Sequence, residues 1–225
     1  MKRARRVRLR LIRHYVPLLT LTGLATLALT MWAASPSLAY RLSLATAFAG
    51  LVLFGVSLVI GPLGLLWRGR LLPVSTDLRR DVGILAGVFG LAHALVGLLV
   101  YTDVRLYFLY PVAAWQRMGL PVRFDDFGLA NWVGLGAAVV LGLLLVTSGD
   151  WALRRYGARR WKRLQQLAYS AFTLIVVHAI LYQRLDPHDQ GPLVAALALI
   201  VASVIILQTA GFLKADRHLA RHTAR

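Results

Sequence analysis

Two histidines, His93 and His178, stand inside long apolar runs; the other four, His14, His188, His218 and His222, fall in tails or connections. An ionisable side chain in hydrocarbon is costly, so it needs a partner or a task. No Asp, Glu or Cys stands beside either histidine, and the chain contains no cysteine at all. That excludes disulfides, iron–sulfur clusters on Cys and covalent c-type haem. Zinc wants four ligands, or three plus water, and no third is in sight. Two neutral imidazoles suit the two axial positions of one haem iron. The competing reading is that each imidazole bonds a neighbouring helix, as polar side chains in membrane bundles do.

The elements that must hold these residues are membrane spans. The chain is 58% hydrophobic and 16% charged, where soluble domains run nearer 45–50% and about 25%. Runs of roughly 20 apolar residues cross a hydrocarbon core of about 30 Å. Six occur, at about 15–34, 40–66, 82–101, 129–147, 166–183 and 192–213. The second contains Gly61-Pro62 and is expected to kink or end there. His93 follows Asp81 by 12 residues and His178 follows Arg163 by 15, which lifts each roughly 18–22 Å from the same membrane edge. They share a depth. Gly90 and Gly97 lie at i−3 and i+4 from His93, on its face of the helix. They let either a flat porphyrin or a neighbouring helix approach the backbone.

The 26 Lys and Arg against 9 Asp and Glu give a formal charge of +17. These charges fall between apolar runs, so they point to membrane topology and not to nucleic acid. The tail to Arg13, segment 67–81, segment 148–165 and the tail after 213 hold 21 of the 26 cations. Both termini are therefore expected in the cytoplasm. Trp32, Trp67, Trp132, Trp151 and Trp161 lie near span ends, as an interfacial belt requires. A basic start with Ser37-Leu38-Ala39 also resembles a cleavable leader, but its apolar stretch exceeds the usual length. The expected fold is all-α, a six-helix integral membrane bundle over 15–213 with basic tails at 1–14 and 214–225.

Three stretches carry a family resemblance: Leu78-Arg79-Arg80-Asp81-Val82-Gly83, then Leu91-Ala92-His93, and Arg160-Trp161-Lys162-Arg163-Leu164-Gln165 leading to Tyr169 and Val177-His178. Together they resemble the ferric-reductase-like transmembrane domain, in particular the MsrQ family of haem-binding subunits. The resemblance implies a multi-pass protein of the bacterial inner membrane that carries haem b on His93 and His178. It further implies electron transfer to MsrP, a periplasmic molybdopterin methionine sulfoxide reductase. The donors it implies are quinol or a cytosolic flavin reductase, with flavin mononucleotide (FMN) as a candidate second cofactor. Gln165 departs from the family, which usually has a histidine there, implicated in an inner redox site. One haem is expected. The inner site is then empty or holds a flavin, with Arg80 as its anion partner and Gln165 bonding the ring. Alternatively, Arg80 snorkels to the headgroups.

Other classes remain open at this level. One is a self-standing ferric reductase or quinol-oxidising cytochrome b. Another is a non-redox transporter or structural subunit, although transporters usually show broken helices in both halves of a repeat. The basic connection Arg154–Arg163 attracts either anionic lipid or an anionic flavin or donor. Segment 102–128, with Tyr107, Phe108, Tyr110, Trp115, Phe124 and Phe127, either lies on the bilayer or forms part of a partner's dock.

Overall fold

The computed structural model describes residues 9–67, 76–119, 121–185 and 191–223. The expectations for residues 1–8, Arg68, Arg70, His188 and Arg225 lie outside the described residues, as do the side chains of Arg117, Arg217, His218, Arg221 and His222. The described chain is helical: α1 (Val16–Trp32), α2 (Leu38–Leu66), α3 (Thr76–Gly97), α4 (Val112–Met118), α5 (Asp126–Thr147), α6 (Asp150–Gln165), α7 (Leu167–Leu185) and α8 (Gly191–Thr223). Six stretches are long and apolar enough to cross a membrane, and no strand occurs among the described residues. The protein is an all-α, multi-pass membrane bundle. Its spans alternate in direction, so Arg10 and Lys214 lie at one end, with the exposed cations of α6. We call this the basic end; the other, around Tyr101, Tyr107 and Phe127, is the aromatic end.

Helix α2 is the centre of the packing, flanked by α3, α8 and α1, while α5 pairs with α7 and touches α3. Small residues set the closest approach: a Cβ on Gly50 of α2 would lie 3.1 Å from the Gly90 nitrogen of α3. In a bilayer such contact is what holds helices together, because lipid tails are as apolar as leucine. Phe54 of α2 stacks on Phe172 of α7, ring centres 6.2 Å apart, and joins the two halves.

The expected kink or end at Gly61-Pro62 meets an unexpected remedy. Helix α2 continues through Pro62 to Leu66. Proline has no N–H, so the Leu58 carbonyl loses its helical donor, yet Gln208 Nε2 of α8 donates to that carbonyl at 2.8 Å. Arg79 Nε donates to the preceding carbonyl, Ser57 O, at 3.1 Å. Lys214 Nζ then caps Leu66 O at 2.9 Å. A side chain from α8 thus replaces the bond the proline removes, and Arg79 and Lys214 add bonds to either side of it.

Helical structure begins ahead of α1. Residues Leu11–Tyr15 form a π-helical turn that runs into α1. It is fixed by Asp81, a wholly buried carboxylate near the start of α3. Arg10 Nε donates to both Asp81 oxygens, at 2.9 and 2.8 Å; Arg10 Nη2 adds a third contact and His14 Nδ1 lies 2.7 Å from Oδ2. His14, expected in the basic tail, is an anchor. Trp161 likewise turns inward, donating Nε1 to Thr147 O at 2.9 Å. The basic connection is itself helical, broken at Gly157 (φ 74°), with Arg154, Arg155, Arg159, Arg160, Lys162 and Arg163 all exposed.

Replacing Gln208 by Leu should leave the Leu58 carbonyl unpaired in hydrocarbon. Unfolding in detergent should then show a loss of about 1–3 kcal/mol, and unchanged stability would mean that the carbonyl finds another donor.

Candidate functional site

His93 on α3 and His178 on α7 come together across the bundle, ring centres 6.0 Å apart and planes at 67°. The shared depth expected from helical rise is what the fold delivers. Each ring spends the same nitrogen on a backbone carbonyl. His93 Nδ1 lies 2.9 Å from Ser43 O and 3.1 Å from Ser43 Oγ, both on α2. His178 Nδ1 lies 2.8 Å from Ala130 O on α5. Since a carbonyl only accepts, Nδ1 carries the proton in both rings, and the Nε2 lone pair is left for a ligand. Orienting a metal-binding histidine through its second nitrogen is the usual outer-shell device.

The pair fits an axial ligand set. Two imidazoles sharing one metal, with each nitrogen about 2 Å from it, bring their ring centres to about 6 Å. No group of three His, Cys, Asp or Glu gathers among the described residues. A zinc-type site therefore finds no support.

Each histidine is held by its own pair of helices, α2 with α3 and α5 with α7. Gly134 on α5 makes the second half possible: a Cβ there would sit 2.6 Å from His178 Nδ1 and 2.7 Å from Cε1. Ser43, Ala130 and Gly134 escape sequence reasoning because nothing in an apolar run marks which carbonyl or glycine will face a ring. Tyr182 had a signal, since i+4 spacing puts it on the face of His178. Its ring centre lies 4.9 Å from the imidazole's.

The remaining candidates have protein neighbours. A Cβ on Gly90 would meet Leu141 Cδ1 at 2.8 Å, and one on Gly97 would lie 3.4 Å from Ser43 Oγ. The first faces α5 and the second lies beside the Ser43 that supports His93. Arg80 Nη1 donates to Asp150 Oδ1 at 2.7 Å while its Nε is buried without a partner. Gln165 Nε2 donates to Thr147 Oγ1 at 3.3 Å. These two inner positions lie at the same end of the bundle, each held by the α5–α6 corner.

Residues 98–119 and 121–125 form a cap at the aromatic end. Arg123 N donates to Phe108 O and Tyr110 N to Pro121 O, both at 2.8 Å, and Gly119 closes α4 at φ 72°. Arg123 bonds Asp125, which caps α5 through Gly128 N, and lies 4.6 Å over the Phe127 ring. That guanidinium holds the Asp125 carboxyl below its ordinary range. Phe127 stacks on Tyr107 and reaches Tyr182, so part of the aromatic segment turns toward the histidines instead of outward.

Gly134→Ala should push the His178 ring off the Ala130 carbonyl. We expect metal-ligand affinity at the pair to fall about 10- to 100-fold, read as loss of bound haem on dilution; full retention would show that α5 can yield.

Residues 46–176 match the family model of the ferric reductase like transmembrane component, a span that includes His93 and stops just short of His178. The chain is 31% identical over 153 residues to the protein-methionine-sulfoxide reductase heme-binding subunit MsrQ of Rhodospirillum rubrum, covering 68% of this chain and 66% of that protein. It is 29% identical over 109 residues to the MsrQ of Rhizobium meliloti, covering 48% and 50%. It is also 30% identical over 140 residues to the magnetosome protein MamZ of Magnetospirillum gryphiswaldense, covering 60% of this chain and 21% of that protein. The matches thus span two thirds or less of these relatives' own lengths. With the match over more than half its residues and an imidazole pair between its spans, the chain belongs to the ferric reductase like transmembrane component family.

Proposed function

We propose that this protein is a haem-binding electron-transfer subunit of a bacterial inner membrane methionine sulfoxide reductase system. The observation that carries the reading is the imidazole pair, 6.0 Å between ring centres with each Nδ1 on a carbonyl. The likeness to MsrQ subunits supplies the system. His93 and His178 would hold the iron of one haem b through Nε2. When bound, haem supplies a one-electron Fe(III)/Fe(II) couple.

The chain's own part is binding, orientation and exclusion. Ser43 and Ala130 keep both imidazoles in the tautomer that binds iron. Two protein imidazoles on one iron would leave no place for dioxygen or a substrate, which favours electron transfer over ligand activation. We assign the basic end to the cytoplasm, on the charge bias of its segments. Its exposed α6 cations favour anionic lipid and an electron donor of negative surface; the donor is quinol or a cytosolic flavin reductase. The acceptor is a periplasmic, MsrP-like molybdopterin reductase at the aromatic end.

Arg80 and Gln165 support a single haem. Arginine stays charged and offers iron no lone pair, and a glutamine amide is a poor ligand beside imidazole. FMN at this end would require Arg80 to exchange Asp150 for a phosphate, a bidentate interaction well within its chemistry.

Three measurements test the reading. The purified protein should show a low-spin bis-imidazole spectrum that His93→Ala or His178→Ala removes without loss of insertion; a spectrum kept in both single variants would refute the pairing. Haem should come to about one per chain by pyridine haemochrome, and a value near two would refute the single site. Reduced protein should reoxidise faster with the molybdoenzyme and a sulfoxide together than with either alone. Equal or faster reoxidation by a ferric chelate would favour the self-standing reductase instead.

A further inference from the structure

Tyr182 stands one helical turn beyond His178 on α7, its ring 4.9 Å from the imidazole between centres and tilted 58° to it. Its hydroxyl donates to Asn131 Oδ1 at 2.7 Å. Asn131 Nδ2 in turn donates to Phe127 O at 2.8 Å, and the Phe127 ring lies 6.0 Å from that of Tyr182. Asn131 follows Ala130 in the chain, and the Ala130 carbonyl takes the His178 Nδ1 proton at 2.8 Å. These contacts close a circuit: imidazole, Ala130 carbonyl, Asn131, Tyr182 and back to the imidazole.

The circuit answers a problem that one hydrogen bond leaves open. The second side-chain torsion of histidine is a broad, two-fold well. A bond from Nδ1 to a carbonyl fixes one point of the ring and still permits rocking about it. A flat aromatic wall on one side removes that freedom, provided the wall is itself fixed. Tyr182 is fixed by Asn131, which is fixed by the α5 backbone that bears the receiving carbonyl. His93 is held differently, by two oxygens of Ser43, and its only described ring contact is His178.

We propose that Tyr182 and Asn131 form a positioning pair that sets the plane of the His178 imidazole, and through it the angle between the two axial ligands and the potential of the haem. The proposal rests on the haem reading above. The plane of an axial imidazole sets its overlap with the iron d orbitals, so rotating the ring alters the low-spin ferric state even when both iron–nitrogen bonds persist. Neither residue touches the iron; both act through His178.

The test uses the full-length protein purified with its haem, as wild type, Tyr182→Phe, Tyr182→Leu, Asn131→Leu and the Tyr182→Phe/Asn131→Leu double variant. Low-temperature electron paramagnetic resonance reads the ligand-plane angle in the ferric g values, and redox titration reads the midpoint potential. Tyr182→Leu, which removes the wall, should shift the largest g value and the potential while haem per chain is retained. Tyr182→Phe and Asn131→Leu should give similar, smaller shifts. Their double variant should shift no further than either, because both remove one end of a single bond. Unchanged g values and potential in Tyr182→Leu would overturn the proposal, as would strictly additive single shifts. Should Tyr182→Leu fail to insert, unchanged spectra in the other variants would overturn it equally. A wild-type protein without a bis-imidazole signal would overturn the haem reading itself, a result distinct from silent variants of a haem-loaded protein.

Discussion

Hydrocarbon neither donates nor accepts hydrogen bonds, and most of this molecule follows from that single property of its solvent. Polar atoms between the membrane faces gain by finding partners within the protein. The Leu58 carbonyl, deprived by Pro62, takes the amide of Gln208; the Asp81 carboxylate gathers Arg10 and His14; the His93 and His178 N–H groups take the carbonyls of Ser43 and Ala130. Each of these bonds joins elements distant in sequence. The same bonds that satisfy buried groups therefore also decide which helices stand side by side.

The histidine pair inherits its geometry from this arrangement. His93 belongs to the α2–α3 pair, joined by the close approach of Gly50 to Gly90, and His178 to the α5–α7 pair, with Gly134 beneath its ring. The two halves meet through Phe54 on Phe172 and through the imidazoles themselves. A ligand shared between the histidines would bind both halves together, so cofactor retention and bundle stability should be thermodynamically linked. The fold also separates the ends by chemistry: exposed cations on α6 at one, a stacked cap of tyrosine and phenylalanine at the other. Exposed charge marks the first end. Ring packing encloses the site at the second.

Some of the site was open to sequence reasoning and some was not, for reasons visible in particular residues. The histidines stood out because ionisable groups are rare in apolar runs, and a rise of 1.5 Å per residue converts sequence distance to depth. Gly90 and Gly97 stood out by spacing, but spacing alone left porphyrin and helix as equal candidates for their faces. Only the folded bundle brings Leu141 and Ser43 to these two positions. His14 was read as a tail residue because its partner Asp81 is 67 positions away. Pro62 marked a lost hydrogen bond in α2, yet Gln208, 150 positions from Leu58, is what lets the helix continue.

By itself, the sequence determined the spans, their number, their alternation and the depth of two histidines. These depend on local quantities: the apolar length needed to cross a bilayer, the placement of charge between runs and the fixed rise of a helix. Tertiary structure alone decided that the two histidines face each other, which nitrogen of each is spent on the backbone, and which residues hold them. Those outcomes depend on helix rotation and on side-chain bonds between elements up to 150 residues apart. A chain read one helix at a time contains no term for them, since a carbonyl such as that of Ala130 acquires a role only when another helix brings a proton to it.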